Sequence, residues 1–154
     1  MSLLPRRRVV GATLAVLALA PLLAACSPTV SLTPEAGANT VACAGVITRL
    51  PTSLGGLTMR DTNAQGTGAW GSPSAVLLRC GLPTPDRSTL PCYTLGGIDY
   101  LVQQKGKDGQ DAILTTYGRT PGVQIVIDTD RVSTSVLRDL GAAVGTIPTT
   151  RKCL

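Results

Sequence analysis

The sequence predicts an α+β domain. Its core is an antiparallel sheet of about four to five strands, with an N-terminal and a C-terminal helix on one face, stapled by disulfides. Three observations lead there. Short apolar runs follow one another from residue 74 to residue 128, joined by turns too short for a crossover, so neighbouring strands run antiparallel. The two stretches with helical spacing flank that run on either side. Five cysteines occur in 154 residues, well separated and with no C-x-x-C, in a chain whose core is modest enough to benefit from cross-links.

The first 25 residues read as a lipoprotein signal peptide. A basic n-region ends at Arg8, and an apolar stretch runs from Val9 to Leu23. It is shorter than the about 20 residues that a bilayer core requires, which suits a signal sequence better than a membrane span. Leu23-Ala24-Ala25-Cys26 resembles the lipobox of bacterial lipoprotein precursors. The resemblance implies a diacylglycerol on the Cys26 thiol and cleavage between Ala25 and Cys26. An ordinary secretory peptide would leave Cys26 as a spare thiol. Lipidating Cys26 instead leaves four cysteines, an even number suited to two disulfides. Arg6-Arg7 leaves open whether export uses the general or the twin-arginine route.

Residues 26–38 are rich in Ser, Thr and Pro without apolar period, and read as a tether after the lipidated Cys26. The single domain then spans 39–154. Asn39 or Thr40 can cap a first helix reaching Leu50, with Cys43, Val46, Ile47 and Leu50 on one face and Pro51 as its stop. The Gly/Thr/Ser-rich run from Thr52 to Pro73 reads as loop, with a short strand near Leu57–Arg60. Ser74–Cys80 reads as a strand. Cys92–Leu95 and Ile98–Gln104 form a hairpin around Gly96-Gly97. Lys105 to Asp111 is a polar turn. Ala112–Tyr117 and Val123–Asp128 are two further strands, with Val123, Ile125 and Ile127 facing the helices. Ser133 or Thr134 starts the last helix, whose stripe is Val136, Leu137, Leu140, Val144 and Ile147.

Composition removes several functions. There is no His and no Phe, so imidazole bases, His-based triads and His metal sites are absent. The net charge of +5 rests largely on Arg6, Arg7 and Arg8; without them 11 basic residues face 9 acidic ones. The remaining basic residues are scattered and no stripe tracks phosphates, which argues against nucleic acid as a partner.

The run Gly68-Ala69-Trp70-Gly71-Ser72-Pro73-Ser74-Ala75-Val76-Leu77-Leu78-Arg79-Cys80-Gly81 resembles the signature of an actinobacterial family of predicted secreted lipoproteins, filed as a domain of unknown function. Matching pieces are Cys43, Leu90-Pro91-Cys92, Gly97-Ile98-Asp99-Tyr100, Thr115-Thr116-Tyr117-Gly118-Arg119, Val126-Ile127-Asp128-Thr129-Asp130 and Cys153. The resemblance implies the lipoprotein topology and paired cysteines, and supplies no activity.

Few residues are candidates for chemistry. Asp128 and Asp130 are the one close carboxylate pair, spaced to share a side of an extended chain. The same acids also suit a strand end ahead of the positive N-terminus of the last helix. Trp70 and Tyr117 are possible ligand-facing aromatics, although a domain lacking Phe needs both for volume. Asp99, Arg79 and Arg119 read as residues of a solvated sheet face. The hydroxyls from Thr115 to Ser135 have no base to activate them, and Lys105 and Lys107 sit in a polar turn.

The expectation is therefore a membrane-anchored extracytoplasmic lipoprotein, exposed on the outer face of the cytoplasmic membrane. It acts as a monomeric, non-catalytic module binding an envelope protein or glycan, with no cofactor and no metal. The alternative is a carboxylate-dependent enzyme using Asp128 and Asp130 with Asp99 or Asp61. For the disulfides, Cys80 ends one strand and Cys92 begins the next, so Cys80–Cys92 closes a short stiff loop and leaves Cys43–Cys153. The competing pairing, Cys43–Cys80 with Cys92–Cys153, requires the first helix to dock at the end of the Ser74–Cys80 strand.

Overall fold

The computed structural model describes residues 28–105 and 111–154. The signal peptide, Cys26 and residues 106–110 of the expected polar turn, Lys107 among them, lie outside the described residues.

Helix α1 spans Val41–Ile47, and the Thr40 hydroxyl accepts its first free N–H, that of Cys43, at 3.3 Å. Eight strands follow: β1 (Ser53–Leu54), β2 (Leu57–Arg60), β3 (Thr67–Trp70), β4 (Val76–Leu82), β5 (Cys92–Leu95), β6 (Ile98–Lys105), β7 (Asp111–Thr116) and β8 (Gly122–Asp128). A single 3-10 turn over Thr134–Val136, capped by the Ser133 hydroxyl, leads into α2 (Leu137–Val144). The α+β class and the antiparallel sheet stand. The sheet has eight strands rather than four to five, in the order β1-β2-β3-β4-β8-β7-β6-β5. It is two four-stranded meanders joined where β4 pairs with β8, Leu77 opposite Val126.

The extra strands are β1 and β3, both inside the stretch that reads as loop. The β3 sequence, Thr-Gly-Ala-Trp, shows no alternation because all four residues are buried. Gly68 lets neighbours close in: a Cβ there would lie 2.8 Å from Leu50 Cδ1 and 3.0 Å from the Trp70 ring, which would have to shift. Gly68 thus gives a central strand the composition of a loop.

One face of the sheet carries the core. Val76, Leu78 and Cys80 of β4 and Val123, Ile125 and Ile127 of β8 are buried there beneath Cys43 and Val46 of α1 and the stripe of α2. The whole expected stripe is buried: Val136, Leu137, Leu140, Val144 and Ile147 are each at most 2% exposed. Burying such a side chain contributes about 1.5–3 kcal/mol against leaving it exposed. The hairpin turn at Gly96-Gly97 has positive φ at both residues (60° and 78°), as a two-residue turn demands.

The disulfides are Cys43–Cys80 and Cys92–Cys153, with Cα–Cα separations of 5.6 and 5.7 Å. This corrects the expected pairing Cys43–Cys153 with Cys80–Cys92. The reason is topological. β5 does not lie beside β4, its predecessor in sequence, but at the far edge of the sheet, with β8, β7 and β6 between them. Four strand spacings, about 19 Å, separate the two strands, far beyond the reach of one disulfide. Helix α1 instead docks on β4 and delivers Cys43 to Cys80.

Residues 28–38, read as a tether, are hydrogen-bonded to the sheet. Val30 bridges Thr62, and Leu32 N–H donates to Asn63 Oδ1 at 2.7 Å. Arg60 donates to the Pro28 carbonyl, and the Glu35 carboxylate meets Arg79 Nη1 at 3.0 Å. Residues 28–38 therefore pack against the domain.

Candidate functional site

The residues singled out by sequence do not converge. Asp128 ends β8, half-buried. Its Oδ1 accepts the Asp130 N–H at 3.1 Å and its Oδ2 lies 4.0 Å from Arg131, so the carboxylate organises the turn ahead of the last helix. Asp130 is exposed. The five described pockets are lined by other residues. Asp99, near the start of β6, stands at the opposite end of the sheet from Asp128, which pairs with Asp111 opposite the end of β6. Asp61 follows β2, across the other meander. Four acids spread in this way share no cleft.

Trp70 is fully buried and its Nε1–H donates to the Pro51 carbonyl at 2.9 Å. It belongs to the core cluster with Cys43 and Val46 of α1, the packing role that a domain without Phe gives it, and presents no surface to a ligand. Its indole N–H is satisfied by backbone, the usual condition for burying Trp. Tyr117 is half-buried, its hydroxyl 3.4 Å from the Asp86 carbonyl, beside a shallow pocket of about 150 Å³ that it shares with Ser88, Leu90 and Lys152. Arg79 lies between Glu35 and Gln124, partly exposed.

The side chains with unusual environments lie where the β5–β6 hairpin meets the C-terminal segment 149–154. Several contacts build this corner. Cys153 is bridged to Cys92, and its N–H donates to Asp99 Oδ2 at 2.9 Å. Thr94 Oγ1–H donates to the other oxygen, Asp99 Oδ1, at 2.6 Å. Thr150 N–H donates to the Gly118 carbonyl at 2.6 Å, and Arg119 bridges Thr149. A Cβ on Gly118, whose φ is 67°, would lie 2.2 Å from the Arg151 carbonyl oxygen, so the close crossing of the two segments requires glycine. Arg151 pairs with Asp86 at 2.6 Å, and that hydrogen bond raises its pKa further above the usual arginine value.

These contacts enclose a pocket of about 220 Å³ lined by Thr94, Gly97, Asp99, Arg119, Thr149, Lys152 and Cys153. Arg119 is 8% exposed. One terminal nitrogen, Nη1, donates to the Ile147 carbonyl, while Nε has no acceptor. Among the described residues no carboxylate lies within ion-pair distance of this guanidinium. Among the described residues the fully buried Tyr100 hydroxyl likewise has no partner. Burial pushes its pKa above the usual tyrosine value, and the positive field of Arg119 opposes that shift.

Chemically, this corner offers a permanent positive charge, an unused N–H and an ammonium from Lys152. The Asp99 carboxylate is engaged on both oxygens in holding hairpin and tail. Such a set suits recognition of an anion rather than bond breaking. Sequence reasoning placed Arg119 on a solvated face. Its burial comes from residues 147–153, some thirty positions later in the chain, and no local period signals that.

A family model described as "Protein of unknown function (DUF3515)" matches residues 8–152 of the chain. The chain belongs to that family. No curated protein and no solved structure matches it.

Proposed function

We propose that this member of the DUF3515 family is an exported, non-catalytic binding module. A lipid on Cys26 holds it as a monomer on the outer face of the cytoplasmic membrane, where it engages a protein or glycan of the cell envelope. The observation that carries the reading is the cysteine balance. Cys43, Cys80, Cys92 and Cys153 are joined in two disulfides, which suits an oxidising compartment. The fifth cysteine, Cys26, stands outside those bridges and directly after Leu23-Ala24-Ala25. Two acyl chains there would anchor the chain stably, each buried CH₂ contributing about 0.8 kcal/mol. No helix among the described residues is long and apolar enough to cross a membrane; attachment in this reading is by lipid.

The docked segment 28–38 adds a spatial consequence. One residue, Ser27, separates Cys26 from Pro28, which Arg60 holds by its carbonyl. The lipid would keep the first meander close to the membrane surface, with the corner around Arg119 displayed at the other side of the sheet order.

The test is expression of the full chain and of Cys26→Ser in a bacterium with lipoprotein maturation. Wild type should lose 25 residues, gain acyl mass and fractionate with membranes. Cys26→Ser should remain an uncleaved, unacylated precursor. A Cys26→Ser protein that matures to the same mass and stays on the membrane would refute the reading.

A further inference from the structure

We propose that the pocket around Arg119 is a binding site for a small carboxylate-bearing ligand. The inference stands on the pocket and is independent of the lipid on Cys26.

The arginines of the molecule provide the contrast. Arg79, Arg131 and Arg151 are partly exposed, and each has a carboxylate: Glu35, Asp128 and Asp86. Arg60 has none, but it donates to two backbone carbonyls, those of Gly71 and Pro28. Arg119 is over nine-tenths buried, always protonated, and has one carbonyl partner and an idle Nε. A buried charge without a counterion is the costly arrangement that folded proteins avoid unless an anion completes it. Arg60 Nε and the Tyr100 hydroxyl also lack a partner among the described residues, but neither lines this pocket; Arg119 alone joins an idle donor to the pocket wall.

A strut role for Arg119 does not account for this. The C-terminal segment is already held by the Cys92–Cys153 bridge, the Thr150–Gly118 hydrogen bond and Asp99. A neutral donor to the Ile147 carbonyl would serve as well as a guanidinium.

The lining selects the ligand. Arg119 and Lys152 supply two positive charges and Asp99 one negative, a net of one that suits a group carrying a single charge, such as one carboxylate of a diacid, rather than a phosphate dianion with both charges on one group. A guanidinium edge matches the two oxygens of a carboxylate. The volume of about 220 Å³ is below that of drug-sized sites, so the group that enters is small. The Thr94 and Thr149 hydroxyls donate to Asp99 and to the Arg151 carbonyl, so the donors left for a ligand are the guanidinium and the ammonium.

The test is calorimetric titration of the purified full chain in detergent micelles, at fixed ionic strength in chloride, with succinate and acetate, and separately with inorganic phosphate. Succinate should bind with a Kd below about 1 mM. R119Q should weaken it at least about tenfold. K152Q, an exposed position, should weaken it about threefold and needs no change in folding. R138Q, exposed on α2, and C26S should bind as wild type does. Binding of phosphate but of neither carboxylate would overturn the assignment. So would the absence of heat with both carboxylates, or an affinity unchanged in K152Q where R119Q does not fold, or unchanged in R119Q where it does.

Discussion

The two meanders, β1–β4 and β5–β8, meet along β4 and β8 and close in different ways. In the first, strands are short, two to seven residues, and burial is completed by neighbours laid over them: α1 through Cys43–Cys80, and the segment 28–38 through Val30, Leu32 and Glu35. Its buried polar groups mostly find backbone: Trp70 Nε1 reaches Pro51, and Arg60, despite an idle Nε, reaches Gly71 and Pro28. In the second, strands β6–β8 are six to eight residues, β7 and β8 alternate in burial, and the far edge is closed by the C-terminal tail through Cys92–Cys153. There Arg119 has no carboxylate and Tyr100 no hydrogen-bond partner. One half is finished by its own packing. The other is left with polar atoms unmatched beside a pocket, and that asymmetry separates scaffold from site.

The largest test of this contrast removes one bridge at a time. Each closes a loop, of 37 and 61 residues, and loop-closure entropy assigns about 4 kcal/mol to each. Cys43→Ala with Cys80→Ala should cost more than that, because both sulfurs are buried in the core, at 0% and 1% exposure, and their loss leaves unfilled volume. It should leave succinate affinity intact wherever the protein is folded. Cys92→Ala with Cys153→Ala should cost about 4 kcal/mol and also weaken succinate binding, since it frees the wall of the Arg119 pocket. Guanidinium denaturation and calorimetry read the two outcomes. Equal stability losses with succinate responding only to the first pair would break the comparison. Non-reducing peptide mapping, with cleavage after Arg87, should recover the Cys43 peptide linked to the Cys80 peptide.

The same asymmetry governs what the sequence reveals. The second meander is legible because its period is that of a half-buried strand: Val123, Ile125 and Ile127 point inward and Gln124 outward, and Gly96-Gly97 announces its turn. The α2 stripe is legible for the same reason. β3 is not, because Gly68 supplies no side chain where Leu50 and Trp70 close in, and Thr67 and Ala69 are buried as well. Strand order is not legible either. The chain leaves β4 through the Pro83–Pro91 loop and re-enters at the opposite edge, and nothing local distinguishes that path from a simple hairpin. The disulfide expectation failed on this one point. Arg119 is hidden from sequence in a similar way, since its environment is made by residues remote along the chain.

A smaller test addresses the unmatched hydroxyl. Tyr100→Phe removes a buried O–H that has no partner, and should stabilise the fold by about 1 kcal/mol. The sign of the pH effect follows from the raised pKa. The unfolded chain releases the Tyr100 proton near pH 10, whereas the folded chain holds it to higher pH. The contribution is fully present below about pH 10 and is lost above it, by up to about 1.4 kcal/mol per pH unit. Denaturation of wild type and Tyr100→Phe between neutral pH and the alkaline range should show curves that diverge above pH 10, the variant falling less. Parallel curves would mean that the hydroxyl has a partner in solution, and the contrast between the two halves would weaken.

The smallest effect concerns the docked segment of the first meander. Asn63 holds it twice: Oδ1 accepts Leu32 N–H at 2.7 Å and Nδ2–H donates to Ser31 Oγ at 3.2 Å. Both bonds are exposed, so Asn63→Ala should cost no more than about 1 kcal/mol, and global unfolding should shift by about 0.5 kcal/mol or less. The loss is local. Hydrogen exchange at the Val30 and Leu32 amides should quicken about fivefold, while amides of β4 and β8 stay unchanged. The Glu35–Arg79 pair remains and limits the freed stretch to the residues before it. Each residue released lengthens the span between Cys26 and the sheet by up to about 3.3 Å. A variant with the same exchange as wild type would show that Val30 and Arg60 hold the segment without Asn63. A loss above about 2 kcal/mol would show instead that the segment is part of the cooperative core rather than a layer added to it.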